Sequence, residues 1–141
     1  MMLLDTVVVS ELRKARPNAG VVTYLKAQAA DTLFLSVMTL GEIEAVIEKQ
    51  RSAAPDFAGE LSQWLMQTEL QFAERILPVT PAIARLWGRL SVLSGNEGVD
   101  NLIAATALCH NLTVVTRNVK DFGVTGVKVV NPFVGRKDSL S

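Results

Sequence analysis

The stretch "MMLLDTVVVSE" at residues 1–11 decides how the chain can be interpreted. An apolar run leads directly into Asp5, and the sequence becomes apolar again after Thr6. This pattern predicts a first strand, "MLLD", that ends at Asp5, followed by a helix that begins near Val7. In open α/β sheets, ligands bind beyond the carboxyl ends of the strands. A carboxylate at the end of the first strand is therefore a candidate functional group.

Short apolar runs alternate with helical patterns along the rest of the chain. "LFLS" (33–36), "TVVT" (113–116) and "VKVV" (127–130) are predicted strands. Thr80-Pro81 is a typical helix start, and "DNLIAATALCH" (100–110) is apolar on nearly every side, which predicts a buried helix. Strands separated by helices indicate βαβ units, and hence an α/β fold with a mainly parallel sheet.

Composition narrows the class of protein. The chain has 141 residues, of which 49% are hydrophobic and 20% are charged, as expected for one globular domain. Its 14 basic and 14 acidic residues balance, so contacts with nucleic acid need a local basic patch. The sequence has no apolar run of the ~20 residues that span a bilayer, and Asp5 interrupts the N-terminal one. We therefore expect a cytoplasmic protein without a membrane partner. The single cysteine excludes an internal disulfide.

Four carboxylates are predicted at the functional edge of the sheet: Asp5, Glu42, Asp100 and Asp121. Each has a local structural explanation. Asp5 could cap the following helix, and Thr39-Leu-Gly-Glu42 matches a capping box in a first helical turn. Asp100 could complement a helix N-terminus, and Asp121 could be a turn residue in the loop after "TVVT".

Taken together, the four carboxylates favour a metal site. At ~5 Å and an effective dielectric constant of about 20, each pair would repel by roughly 3 kcal/mol. A divalent cation such as Mg²⁺ removes this repulsion and leaves water positions for a phosphate to occupy. Cys109 and His110 are adjacent and are the only cysteine and histidine, so a zinc site is excluded. Neither a Ser/His/Asp arrangement nor a glycine-rich phosphate loop is present.

Several segments resemble one known family. "LLDT...SE", "FLSVMTLGEI", "DNLIAATAL", "LTVVTRNVKDF" and "VNPF" are similar to the PIN-domain nucleases, and in particular to the VapC/FitB-like toxins of type II toxin–antitoxin modules. The resemblance runs from Met1 to about Phe133. It implies a three-layer α/β/α PIN-like domain at residues 1–134, with a central parallel sheet of about five strands and a polar tail at 135–141. It also implies Mg²⁺- or Mn²⁺-dependent cleavage of RNA.

The resemblance assigns roles to individual residues. Asp5, Glu42, Asp100 and Asp121 match the catalytic acidic positions. The first three are expected to bind the metal, directly or through water, and Asp121 to hold a second ion or position the water. Supporting polar positions match Thr6, Thr116 and Asn118.

One position departs from the family pattern. The family usually has Asn two residues after the first acid, and this chain has Val7. An alternative function therefore stays open: a PIN-fold binding module with little nuclease activity, which partners a DNA-binding antitoxin in promoter regulation. Haloacid-dehalogenase-like phosphatases need a second Asp at position 7, so Val7 argues against that class.

The remaining expectations concern partners. "RKAR" (13–16) supplies Arg13, Lys14 and Arg16 as candidate RNA-binding residues, and Arg117 and Lys120 flank the fourth acidic position. A solvated helix face explains "RKAR" equally well. Trp64 and Trp87 lie on helical apolar stripes and are expected to pack in the core. The resemblance implies a homodimer and a cognate antitoxin, often DNA-binding, whose C-terminal segment blocks the site.

Overall fold

The computed structural model describes residues 1–135. Residues 136–141, which make up nearly all of the predicted polar tail at 135–141, lie outside the described residues.

A five-stranded parallel sheet forms the centre of the fold, as predicted. The strands are β1 (Met2–Leu4), β2 (Leu33–Ser36), β3 (Ile76–Leu77), β4 (Thr113–Val115) and β5 (Val129–Val130). Their order in space is β3-β2-β1-β4-β5, and every neighbouring pair is parallel. The strand pattern identified four of the five strands. It missed β3, because Pro78 ends this apolar pair at once, whereas the equally short β5 ends the longer run "VKVV".

Seven α-helices in the described part of the chain surround the sheet. They are α1 (Thr6–Arg13), α2 (Ala19–Lys26), α3 (Val37–Gln50), α4 (Pro55–Phe72), α5 (Pro81–Ser94), α6 (Val99–His110) and α7 (Val119–Gly123). Thr80 caps α5 through its hydroxyl, which accepts from the Ile83 amide, and Pro81 occupies the first helical position as predicted. Within residues 1–135, every helix is too short or insufficiently apolar to cross a membrane.

Consecutive strand residues pack into opposite helical layers. Leu4 and Val115 belong to one core with α1–α4, whereas Leu3 and Val114 belong to a second core with α5–α7. This alternation is the period of two that a pleated strand imposes. It places one helical layer on each face of the sheet, which confirms the predicted three-layer α/β/α architecture. The predicted core positions also agree: Leu65 and Leu90 are buried, and both tryptophans pack partly buried against these cores.

The strand order creates one position where a site can form. The chain builds β2 and β3 on one side of β1, and then β4 and β5 on the other side. The crevice between β1 and β4 is therefore a topological switch point, where open α/β sheets bind ligands. The backbone amide of Asp5 donates to the carbonyl of Val115 at 2.9 Å, so the end of β1 lies directly beside the end of β4.

The segment at 131–135 crosses the start of α2. Asn18 caps α2, and it also donates from its side-chain amide to the Val134 carbonyl at 2.9 Å. At Gly20 the two segments approach so closely that an added Cβ would lie 2.3 Å from the Pro132 carbonyl oxygen. Glycine is therefore required at this position for steric reasons.

We expect Gly20→Ala to destabilise the protein by roughly 1–3 kcal/mol, because either the helix or the 131–135 segment must move. Urea denaturation measures this loss. Gly59→Ala is the matched control, since a Cβ at Gly59 meets nothing within 4 Å. That substitution lies inside α4 and should stabilise by roughly 0.5–1 kcal/mol. If the Gly20→Ala protein were as stable as the wild type, the steric requirement for glycine at position 20 would be wrong.

Candidate metal-dependent active site

Asp5 lies at the centre of the switch point. It is only 3% exposed, although it carries a carboxylate. Its Oδ1 accepts from the Thr6 amide at 2.8 Å, and its Oδ2 accepts from the Thr116 hydroxyl at 2.8 Å. Asp5 is also the N-cap residue of α1, so the predicted capping role is correct. Capping uses Oδ1 alone, and the second oxygen is held by a different strand.

Thr116 connects Asp5 to the loop that follows β4. Its hydroxyl donates to Asp5 and accepts from the backbone amide of Asn118 at 2.9 Å. Thr116 is fully buried, whereas Asn118 is exposed at the start of α7. The hydroxyl therefore orients Asp5 and shapes the loop with a single oxygen atom.

Glu42 is held by the Thr6 hydroxyl, which in turn contacts the Thr39 hydroxyl. The Thr6 hydroxyl donates to Glu42 Oε1, and the Thr39 and Thr6 hydroxyl oxygens lie 2.9 Å apart. The predicted capping box at Thr39–Glu42 is wrong. The N-cap of α3 is Ser36, whose hydroxyl accepts from the Met38 amide, so Glu42 lies beyond the first turn. Its carboxylate is therefore available for another role.

Asp100 and Asp121 come from the other helical layer. Asp100 lies in the first turn of α6, as predicted, and is partly buried. Asp121 was expected in a loop, and that expectation is wrong: it lies in the first turn of the short helix α7 and is exposed. Five residues are too few for a helical apolar stripe to appear in the sequence.

The four carboxylates influence one another electrostatically. Burial raises the pKa of Asp5 to about 6, the Thr116 and Thr6 hydrogen bonds act against this rise, and Asp100 and Glu42 add to it. Burial likewise raises the pKa of Asp100, and repulsion from Asp121 and Glu42 raises it further. Because Coulomb forces fall with distance, these effects indicate that Asp100 and Glu42 lie near Asp5, and that Asp121 and Glu42 lie near Asp100.

The donor set suits a hard divalent cation. Within residues 1–135, no three Asp, Glu, His or Cys side chains form a cluster ready to hold a metal ion. Mg²⁺ does not need such a cluster, because it keeps several waters and uses one or two protein carboxylates together with substrate phosphates. Asp5 fits this role best, since it is buried, oriented by two hydrogen bonds and destabilised in its ionised form. The assignment of Asp5, Glu42 and Asp100 as metal ligands stays a prediction.

The candidate RNA-binding cations differ in their surroundings. The Arg13 guanidinium lies 5.3 Å from the Phe57 ring centroid, and the Lys14 ammonium pairs with Glu11 at 2.9 Å. Arg16 is exposed beyond the end of α1. Since α1 ends at Arg13, the "RKAR" segment is not the continuous helix face of the alternative interpretation.

Arg117 and Lys120, the two basic residues near Asp121, also differ in their surroundings. The Arg117 guanidinium stacks over the Phe133 ring, 4.7 Å from its centroid, whereas Lys120 is exposed on α7. Among the five candidate RNA-binding residues, Arg16 and Lys120 are exposed and make none of the aromatic or carboxylate contacts described above.

Glu11 is a structural residue that the sequence reasoning missed. It is 7% exposed and accepts from the Lys14 ammonium and, at 2.8 Å, from the Asn18 amide. Burial acts to raise the pKa of Glu11, but these hydrogen bonds and the charges of Lys14 and Arg117 outweigh it and hold the pKa below its ordinary value. In the sequence, the spacing of three residues between Glu11 and Lys14 is typical of an ion pair on a helix. The sequence analysis also missed the contact of Thr39 with the site, although Thr39 stands three residues before Glu42.

Val7 makes an apolar contact at the position where the family has a polar residue. Its side chain is partly buried and packs against the core formed with α1–α4. Cys109 and His110 form the end of the largely buried helix α6, as predicted, and both are exposed there. Neither residue takes part in the carboxylate network described above.

Comparison with known proteins agrees with this fold. The PIN domain family model matches residues 2–126, and the chain belongs to the PIN-domain family. It is 33% identical to VapC ribonuclease Y4jK of Sinorhizobium fredii, over 94% of this chain and 98% of the relative.

Solved structures place it within the VapC/FitB group of this family. The FitAcB crystal structure from Neisseria gonorrhoeae superposes with a TM-score of 0.80 at 33% identity, over 94% of this chain and 98% of that one. A structure of FitAB bound to an IR36 DNA fragment gives a TM-score of 0.79 at 30% identity, over 96% of this chain and 98% of that one.

Without divalent metal, Asp5 should make stability depend on pH. Its folded-state pKa of about 6 exceeds the ordinary value of 3.8, so the folded protein retains a proton that the unfolded chain releases. Stability should therefore fall as pH rises from about 4 to about 7. Asp5→Asn keeps a capping group and removes the charge. In EDTA at neutral pH the variant should be more stable, by up to about 3 kcal/mol. Urea melts at several pH values test this, and a constant difference between the two proteins across that range would contradict it.

Glu11 should have the opposite pH dependence. Its folded-state pKa is lowered, so its contribution is present above the ordinary value of 4.5 and is lost as pH falls through the folded-state value. Glu11→Gln should cost roughly 1–3 kcal/mol at neutral pH and progressively less in acid. Glu60→Gln, on the exposed surface of α4, is the control and should change little. Equal stability of the Glu11→Gln protein and the wild type at pH 7 would refute the role assigned to Glu11.

Proposed function

We propose that this protein is a metal-dependent endoribonuclease and the toxin component of a type II toxin–antitoxin module. The observation that carries the proposal is the buried Asp5 carboxylate at the switch point, which is held by the Thr6 amide and the Thr116 hydroxyl and is repelled by Asp100 and Glu42. A fold gains no stability from such repulsion, so the arrangement favours a bound cation. The similarity to a VapC ribonuclease supports RNA as the substrate.

Asp5, Glu42 and Asp100 would hold Mg²⁺ or Mn²⁺. Such a cation lowers the pKa of a water and stabilises negative charge on a phosphodiester. Thr116 keeps Asp5 Oδ2 oriented, and Thr6 does the same for Glu42 Oε1. Asp121, exposed on α7, would hold a second ion or position the attacking water.

The RNA backbone must approach an acidic site, so cations at its edge have to offset the repulsion. Lys120 immediately precedes Asp121 and is exposed, and Arg16 is exposed after α1. We assign these two the strongest electrostatic contribution to RNA binding. Arg13, Lys14 and Arg117 contribute less, since each already contacts Phe57, Glu11 or Phe133.

A cognate antitoxin is the expected protein partner. A groove of about 390 Å³ lies between α1, α2 and α4, and its lining includes Leu12, Val22, Leu25, Trp64 and Phe72. Apolar side chains of an antitoxin segment fit such a groove. The FitAcB and FitAB structures support an antitoxin partner, and the DNA-bound FitAB complex supports one that binds DNA. An inhibitory segment could continue from the groove towards the site.

A homodimer is the expected assembly of the protein itself. Several apolar side chains are exposed, notably Leu70 at 77%, Val92 at 87% and Leu93 at 72%. Apolar side chains of this size at the surface are suited to self-association.

The direct test is RNA cleavage by the purified full-length chain. Mg²⁺ or Mn²⁺ should switch on cleavage, and EDTA should abolish it. Asp5→Asn and Asp100→Asn should each reduce the rate by at least about 100-fold, because each removes an anionic oxygen from the cation. Metal should also raise the melting temperature of the wild type, since it binds only the folded state.

Asp31→Asn is the matched control, because Asp31 is exposed in the short 3₁₀ turn before β2. It should cleave RNA like the wild type. If the wild type cleaves no RNA with either metal and its melting temperature does not respond, the nuclease proposal fails. The chain would then be a PIN-fold binding module that partners a DNA-binding antitoxin.

A further inference from the structure

Thr39 is a fully buried hydroxyl on α3, on the same helix face as Glu42 three residues later. Its hydroxyl oxygen lies 2.9 Å from that of Thr6. The capping role that the sequence suggested for Thr39 is wrong, because Ser36 caps α3. A buried hydroxyl requires a partner, and here the partner belongs to the site.

The direction of the two hydrogen bonds follows from proton counting. The Thr6 hydroxyl donates to Glu42 Oε1, so its single proton is already used in that hydrogen bond. Thr6 therefore cannot also donate to Thr39, and the Thr39 hydroxyl must donate to Thr6. The result is one directed chain, from Thr39 to Thr6 to Glu42.

This hydrogen-bond chain connects α3 with the start of α1, and so it joins Glu42 to the residue that follows Asp5. Thr6 is the residue after Asp5 and begins α1, whereas Thr39 and Glu42 lie on α3. By occupying an acceptor position on Thr6, Thr39 restricts the rotation of that hydroxyl and directs its proton to Glu42. Hydrogen bonds in such chains also strengthen one another.

We propose that Thr39 is a positioning residue of the active site, which holds Glu42 through Thr6 in the orientation that binds the divalent cation. The proposal rests on the proposed metal-dependent function. Thr39 touches neither the cation nor the RNA, and it acts only by limiting the orientations of Thr6 and Glu42. Loss of its hydroxyl should therefore weaken metal binding without removing an anionic ligand.

The test is Mn²⁺ binding to the full-length protein, measured by electron paramagnetic resonance, with RNA cleavage measured in parallel. Thr39→Val keeps the side-chain shape and removes the donor. It should weaken Mn²⁺ binding roughly tenfold or more and raise the Mn²⁺ concentration for half-maximal cleavage by a similar factor. Thr39→Ser restores the hydroxyl and should return both values close to the wild type.

Thr68→Val is the matched control for losing a buried hydroxyl. Thr68 is also buried in a helix, but its hydroxyl donates to the Trp64 carbonyl in α4. This variant should bind Mn²⁺ like the wild type, even if its melting temperature falls. A merely structural role for Thr39 would instead give both valine variants the same unchanged Mn²⁺ affinity.

The outcomes separate the two proposals. If the wild type binds Mn²⁺ and cleaves RNA, and Thr39→Val does both equally well, the positioning role is overturned and the nuclease function stands. The same holds if Thr39→Ser is as impaired as Thr39→Val, since the hydroxyl then has no special part. A wild type that neither binds Mn²⁺ nor cleaves RNA overturns both.

Discussion

The burial of the Asp5 carboxylate is the constraint on which the site depends. A carboxylate that is 3% exposed loses most of its hydration, and this loss raises its pKa to about 6. The neighbouring Thr116 hydroxyl and Thr6 amide recover only part of the lost stabilisation. Nearby Asp100 and Glu42 make ionisation still less favourable. Burial and carboxylate repulsion therefore destabilise the folded chain when Asp5 is ionised, and a divalent cation would remove this destabilisation.

Short hydroxyl side chains orient the acids in this fold. Thr116 serves Asp5, and Thr6 with Thr39 serves Glu42. Threonine suits this task, because its β-branched side chain has few rotamers and its hydroxyl both donates and accepts. A lysine or arginine in the same place would neutralise the acid and compete with a cation. The neutral hydroxyls hold the carboxylates in place and leave their charge available.

The fold was largely predictable, because its signals are local. Apolar runs ending at polar residues marked four strands, and the Thr80-Pro81 pair marked the start of α5. β3 and α7 escaped prediction, since Pro78 directly follows the two residues of β3 and the five residues of α7 are too few for an apolar stripe over two helical turns. The capping-box motif wrongly predicted that α3 begins at Thr39. A four-residue motif records spacing alone, and the Ser36 hydroxyl three residues earlier caps the helix instead.

The sequence alone predicted four candidate acidic residues at one edge of the sheet, because the carboxyl ends of parallel strands share that edge. It could not determine which of them are buried, since burial depends on elements that lie far apart in the chain. Asp5 accepts from Thr116, 111 residues away, and Thr39 and Thr6 meet across 33 residues. Asn18 likewise joins Glu11, through its backbone amide, to the segment at 131–135, through its side-chain amide. Tertiary packing therefore decided the solvation, the hydrogen-bond partners and hence the proton affinity of each carboxylate.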